Sequence, residues 1–491
     1  MDSLYSLFKK FSEKTFIIIP ANKNNNNIIL TYKDIDNISS QISSYLTNQL
    51  NINKGDRVVL CIGNKLEYIF FYYGLLKLRA VPIPFDINLT KDDLFYIQQE
   101  SSPKKIIIRN DLIEKYDVVD FKDKIVECPT YDQILNFNFT DANNFVFQDM
   151  DDEDLCIILF TAGSTGKPKG VQLKFNGWFE GAEKYGKLAM YNEDTRLLQI
   201  MPFYHADAWF SSLVVAPLFG SSTVLLESFK IELISKFWNY VENYNVNYLV
   251  VVPSIMTSLL LLALRHNKPF PKVDYVKCSS AVLLPDVRKN FEDVFKTKII
   301  EVYGSTEGHA ITIFPPNEQY NSSVGKLTGI SEVRITTEGE IQIKNQKWFA
   351  GYLNRKDLTE QAFDNGWFRT GDVGEIRDGY LFLKGRKDDL IIKNGKNISP
   401  KEVDDVLIKF SNDILESATL GKFDKDGNQQ IFSFIVFKEG YIKNNIKTEI
   451  ISFCRNHLAE YKIPDQIFFL EAIPKLASGK VDRNKLKDLI I

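Results

Sequence analysis

The chain is short of the features that mark several whole classes of protein. Its five cysteines (Cys61, Cys128, Cys156, Cys278 and Cys454) are odd in number, far apart and without a Cys-x-x-Cys pair. That fits neither a disulfide framework nor a zinc site, and a reducing cytoplasm is the expected setting. Neither sign of charge dominates: 60 basic residues face 63 acidic ones, for a formal net charge of −3. With no basic block of useful length, the expected partners are small molecules, not nucleic acid or an anionic membrane. Long apolar runs are scarce. The stretch YLVVVPSIMTSLLLLAL (248–264) is near the lower length for crossing a bilayer, but Pro253 divides it, which predicts a buried strand followed by a buried helix opening at the proline and no membrane span. Low complexity is confined to NKNNNNI (22–28), where clustered asparagine suits a hairpin tip or exposed loop, and no internal repeat is visible.

What is present is a composition of 44% hydrophobic and 25% charged residues over 491 positions, that of a globular protein long enough for several domains. The opening MDSLYSLFKKFSEK carries Leu4, Leu7, Phe8 and Phe11 at helical spacing without the continuous apolar core of a signal peptide, which predicts a surface helix. TYKDIDNISSQISSYLTNQL places Ile35, Ile38, Ile42, Leu46 and Leu50 on one helical face, DRVVLCIG reads as a strand, KLEYIFFYYGLLKLRA as a broadly apolar helix, and VPIPFD as another strand. The alternation returns between Leu197 and Ile300 and predicts layered α/β structure with a parallel sheet.

After the predicted strand CIILF comes a run too rich in Gly, Ser and Thr for helix or strand, TAGSTGKPKG (161–170). Glycine lets backbone N–H groups approach a ligand, the hydroxyls of Thr161, Ser164 and Thr165 add donors, and Lys167 and Lys169 add positive charge, an inventory that suits phosphates. A Walker A loop needs four residues between its glycines and a hydroxyl residue after the lysine, whereas GSTGKP has two and then proline. In isolation the stretch also fits a solvated linker.

TAGSTGKPKGV resembles the phosphate-binding signature of the adenylate-forming superfamily: acyl-CoA synthetases, adenylation domains of nonribosomal peptide synthetases, and beetle luciferases. Further segments match in the family's order: MPFYH (201–205), SSAVLLP (279–285), YGSTEG (303–308), WFRTGDVG (367–374), GRKDDLIIKNGKNISPKEVD (385–404) and PKLASGKVDR (474–483). The departures are Ala162, where the family commonly has serine, and SSAVLLP, where it often has Gly-Gly-Ala-Pro. The resemblance implies an α/β fold with a large multi-subdomain N-terminal adenylating domain of layered sheets (1–385) and a small mobile α+β C-terminal domain (386–491).

The implied reaction has two steps. A carboxylate attacks the α-phosphate of ATP to give an acyl-adenylate and pyrophosphate, and the thiol of CoA or of a carrier protein's phosphopantetheine then displaces AMP. By resemblance Thr161, Ser164, Thr165, Gly166 and Lys169 hold phosphates, Glu307 with Thr161 holds Mg2+, and Tyr303 stacks on adenine beside Gly304, Ser305 and Thr306. Ser280 and Ala281 offer backbone groups to the purine, while Asp372 and Arg386 reach the ribose or phosphate. Lys480 is the implied catalytic cation between the two anions, Asp388 the hinge, and Gly395 lies on the thiol side. The acid pocket is expected among His205, Asp207, Trp209, Phe210, Val251, Ser254, Cys278 and His309, with His205 at its carboxylate end. Amino-acid-activating relatives carry an aspartate near that position for the substrate ammonium; His205 stands there here, with Asp207 two residues on, which disfavours an α-amino substrate. The leading expectation is a free-standing acyl-CoA synthetase for an apolar fatty or aryl acid. The alternatives are an enzyme loading a carrier protein and a non-catalytic nucleotide sensor; the sensor needs neither Lys480 nor a hinge.

Overall fold

The computed structural model describes every residue except 1–3, 22–25, 148–149, 162–167, 230, 264–268, 282, 346, 394–395, 424–428, 439–444, 477–480 and 491. Contacts divide the chain into two units, Met1–Glu332 with Ile343–Phe368, and Val333–Gln342 with Arg369–Ile491.

The first unit contains two largely parallel sheets. In one, Ser222–Leu225, Arg196–Gln199, Tyr248–Val251, Tyr275–Cys278 and Lys298–Ser305 run parallel in that order. The N-terminal hairpin, Thr15–Ile19 with Ile28–Thr31, joins through its first strand. The other sheet orders Val81–Pro84, Arg57–Cys61, Lys105–Ile108 and Ile125–Glu127, all parallel. A third, antiparallel sheet places Lys169–Lys174 between Leu155–Thr161 and Phe349–Tyr352.

Helices form where the sequence spacing predicts them. Thr31 starts Tyr32–Leu50 with a capping box to Asp34, and Ile35, Ile42 and Leu46 are fully buried, whereas Ile38 and Leu50 are only partly so. The helix Leu66–Lys77 is buried almost all round, as an interior helix must be to tolerate so many apolar residues. The two helices approach so closely that a Cβ on Gly74 would lie 2.7 Å from Ile42, and Ser43 donates to the Gly74 carbonyl at 2.9 Å. The run around Pro253 divides as predicted into strand Tyr248–Val251 and helix Pro253–Ala263, but the helix expected to be buried is so on one face only: Ile255, Met256 and Leu259 meet the core, whereas Ser254, Thr257 and Leu261 are exposed. Among the described residues no helix is long and apolar enough to cross a membrane. The N-terminal helix Leu4–Lys10 departs from the surface position expected of it. Phe8 is 1% exposed, with the rings of Phe16, Tyr32, Tyr73 and Phe147 at 5.2–5.9 Å, because Leu7, Phe8 and Phe11 together insert into the core.

The second unit has a three-stranded sheet, Ile414–Phe423 antiparallel to Gln429–Phe437, which is parallel to Gln466–Phe469. The helices Pro400–Lys409 and Ile446–His457 bury Val403, Leu407 and Ile450 with Ile431 and Ile435. Ser399 caps the first helix, with Pro400 at its first turn. The composition shift lies at 385/386, whereas contacts also assign most of the strand pair Trp367–Arg377 and Tyr380–Arg386 to this unit.

Candidate active site

The Gly/Ser/Thr run joins two antiparallel strands, so Thr161 and Lys169 face each other across the base of a hairpin. A strand–loop–strand differs from the strand–loop–helix of a Walker A site. Ser164, Thr165, Gly166 and Lys167 lie outside the described residues. At the returning end, Tyr96 donates to the Pro168 carbonyl at 2.9 Å. The Thr161 hydroxyl is buried and has no hydrogen-bond partner among the described residues. A buried orphan of this kind is costly unless a ligand or water completes it.

Glu307 occupies the turn between Lys298–Ser305 and His309–Ile313. The Gly308 N–H closes that turn on the Ser305 hydroxyl at 2.9 Å, and a Cβ on Gly304 would lie 2.0 Å from the His309 carbonyl oxygen, so only glycine fits. Two residues from the neighbouring antiparallel sheet meet the carboxylate. Lys169 Nζ donates to the Tyr352 hydroxyl at 2.7 Å, that hydroxyl donates to Glu307 Oε1 at 2.8 Å, and Nζ lies 3.4 Å from the same oxygen. The ammonium also sits 3.9 Å from the Tyr352 ring centroid, a cation–π contact. An orphaned hydroxyl and a carboxylate are the hard oxygen donors magnesium prefers, and Mg2+ is commonly held by one or two protein oxygens plus substrate phosphates. Thr161 and Glu307 therefore fit the ion. Sequence reasoning missed Tyr352, which no motif marks and which lies 45 residues from Glu307.

On the side expected to meet the purine, Tyr303, Ser305 and Thr306 are partly buried, and Gly304 and Ala281 are exposed. Ser280 has φ +72°, a left-handed conformation that costs a side-chain-bearing residue and that glycine takes freely. This gives physical meaning to its departure from the family's glycine.

The residues expected around the acid fall into three groups. His205, partly buried, is the N-cap of the short helix Ala206–Trp209, and Ser254 is exposed in the first turn of its helix. Val251 and Cys278 pack in the apolar core with Ile255, Met256 and Phe291. Trp209 and Phe210 join an aromatic group with Trp178, whose ring centroid lies 5.3 Å from Trp209 and 5.0 Å from Phe210. His309 is enclosed in the same group, 4.5 Å from Trp178, 4.4 Å from Phe210 and 4.7 Å from Trp348. Burial and the nearby Lys277 ammonium pull its pKa down to about 3, so the ring is neutral, with Nδ1 accepting from the Ala310 N–H at 2.6 Å.

Side chains alternate along a strand, so Lys277 turns away from the core that takes Cys278. Its side chain is 1% exposed and forms an ion pair with Asp207, whose other oxygen accepts from the Ser279 hydroxyl at 2.6 Å. Burial pulls the lysine pKa down toward about 7, and the Asp207 carboxylate in contact with it favours the charged form. Sequence reasoning missed Lys277 as well, although a lysine flanked by the apolar residues of the strand Tyr275–Cys278 is a polar residue at a core position and is itself a signal.

In the second unit, Arg386 Nη1 donates to Asp372 Oδ1 and to the Thr370 carbonyl, both at 3.1 Å. The structure thus brings together the two residues expected near the ribose. Gly371, next to Asp372, has φ +71°, and a Cβ there would lie 2.8 Å from Arg386 Nη2. Asp388 belongs to the single 3-10 turn Lys387–Asp389, and its neighbour Asp389 accepts an ion pair from Arg483 at 3.0 Å. Gly395 and Lys480 lie outside the described residues. Next to the latter segment, Lys475 and Val481 pair as an antiparallel bridge.

Comparison with known proteins finds that residues 8–353 match the family described as AMP-binding enzyme, and residues 402–480 match the AMP-binding enzyme C-terminal domain. A 2-succinylbenzoate–CoA ligase of Listeria monocytogenes is 30% identical, over 93% of this chain and 94% of its own length. A long-chain-fatty-acid–CoA ligase of Mycobacterium tuberculosis is 26% identical, over 94% and 93%. Among solved structures, the anthranilate CoA ligase AuaEII in complex with anthranoyl-AMP superposes with a TM-score of 0.87 at 20% identity, covering 99% of this chain and 97% of that one.

Proposed function

The chain belongs to the AMP-binding enzyme family, and from that premise we propose that it joins a carboxylic acid lacking an α-amino group to coenzyme A through an acyl-adenylate. It is an AMP-forming acid–thiol ligase of the acyl-CoA synthetase kind. ATP is the first co-substrate; Thr161 and Glu307 would hold Mg2+, which would supply charge neutralisation at the phosphates.

The chain's own groups divide the work. Lys169, with Ser164, Thr165 and Gly166, holds the outer phosphates, Tyr303 stacks on the purine, and Asp372 accepts from the ribose hydroxyls with Arg386 beside it. The substrate carboxylate oxygen forms a bond to the α-phosphorus as the bond to the β-phosphate bridging oxygen breaks, releasing pyrophosphate. Lys480 stabilises the negative charge that gathers between the joining groups, with His205 at the carboxylate end of the pocket. Attack of the CoA sulfur on the acyl carbon then expels AMP. Because like charges must meet, neutralisation and alignment are the main things the protein has to supply.

One observation supports the choice of acid. Asp207 is occupied by the Lys277 ammonium and the Ser279 hydroxyl. It therefore offers no uncompensated carboxylate to a substrate ammonium, while the aromatic rings of Trp209 and Phe210 suit an apolar acyl or aryl group. ATP–pyrophosphate exchange over a panel of aryl, aliphatic and amino acids tests the reading. Exchange with acids lacking the amino group is expected, and amino acids matching or exceeding them would overturn it. Supplying the adenylated enzyme with CoA or with a holo carrier protein then identifies the acceptor.

A further inference from the structure

We propose that Tyr352 is a positioning residue for the metal-bound nucleotide: its hydroxyl fixes one oxygen of Glu307, draws the Lys169 ammonium to that same oxygen, and so keeps the second oxygen available to magnesium. This rests on the reading of Glu307 as the residue that would hold the ion.

Hydrogen-bond chemistry sets the direction of the relay. An ammonium can only donate, so the phenol oxygen accepts from Lys169 at 2.7 Å and its single proton must go to Glu307 Oε1 at 2.8 Å. Both interactions involve an ionised partner, the stronger class of hydrogen bond. Glu307 Oε2 has no partner among the described residues. The carboxylate is thus asymmetric, with one oxygen bound to the protein and one available to a ligand.

Tyr352 is built to hold this position. It is 6% exposed and ends the strand Phe349–Tyr352, where it is paired with Val171, two residues along from Lys169. Its N–H donates to the Thr359 hydroxyl at 2.9 Å, and its ring packs edge-on against Phe349 at 4.9 Å. Lys169 and Glu307 are largely shielded, with side chains 26% and 12% exposed and Nζ 3.4 Å from Oε1. Without the hydroxyl the carboxylate loses the contact that fixes Oε1 on this side and can turn its second oxygen toward the ammonium, away from an incoming cation. The relay also keeps the ammonium at the returning end of the hairpin.

Tyr352→Phe tests this, because it keeps the ring and removes the hydroxyl. Calorimetric titration without acid substrate should show MgATP binding weakened about tenfold, the scale of a lost hydrogen bond to a charged group. Binding of ATP in excess chelator should change less than twofold, and kcat at saturating MgATP should stay close to the parent while KM for MgATP rises. Equal weakening with and without metal would mean a merely structural role, and unchanged MgATP affinity would overturn the proposal outright. Glu307→Gln separates the two layers of the argument. If it leaves the metal dependence of ATP binding intact, the metal reading of Glu307 fails, and the proposal with it. If it abolishes that dependence while Tyr352→Phe has no effect, only the role of Tyr352 is lost.

Discussion

Lys277 and Asp207 form an ion pair whose ammonium is 1% exposed and whose carboxylate is 19% exposed, so the two ends of one contact sit in different solvent environments. The pair links the strand Tyr275–Cys278 to the helix that follows His205, and Ser279 extends it into the segment SSAVLLP. A charge shut away from water is tolerated because its partner is in place.

Removing one member should therefore cost more than removing both. Asp207→Asn is expected to lower stability by about 3–5 kcal/mol by leaving the buried Lys277 ammonium uncompensated. Adding Lys277→Met should return much of the loss. Urea unfolding of the two variants checks this; equal stability of the single and double variants would contradict it.

Lys480→Ala should reduce adenylation by roughly 10²-fold or more, the scale of losing one preorganised donor to a developing negative charge. Pyrophosphate exchange is the measurement, and an unchanged rate would remove Lys480 from the catalytic step.

Asp388→Pro should leave adenylation in place and slow thioester formation, because proline fixes φ at the residue proposed to absorb the torsion of domain rotation. Single-turnover measurement of both half-reactions distinguishes this from general damage, in which both steps would fall together.

The second unit should lose stability between about pH 4 and pH 6. Burial raises the Asp404 carboxyl to about 6 against the pull of its hydrogen bonds from Ser417 and Thr419. A folded-state pKa above the unfolded one favours the folded state at low pH, and the advantage disappears as pH rises through the folded value. The full change is at most about 3 kcal/mol, at 1.4 kcal/mol per pKa unit. Urea unfolding followed by a signal from this unit should show the slope, and Asp404→Asn should flatten it.

By itself the sequence determined the local grammar of this protein. Hydrophobic period set the helix Tyr32–Leu50 and the strand Arg57–Cys61, Pro253 divided an apolar run, and contiguous motifs that resemble the family's marked Thr161, Glu307 and Asp372 as candidates. These are properties of neighbours along the chain. Tertiary structure decided which distant groups touch: Lys169 meets Tyr352 across 183 positions, and Lys277 is paired with Asp207 on a different element. It also decided which face of a strand meets the core, so that Cys278 is packed among apolar side chains while Lys277 beside it carries a buried charge. Hydrogen bonds and ion pairs act over a few ångströms, and only the folded backbone brings residues so far apart in sequence within that range.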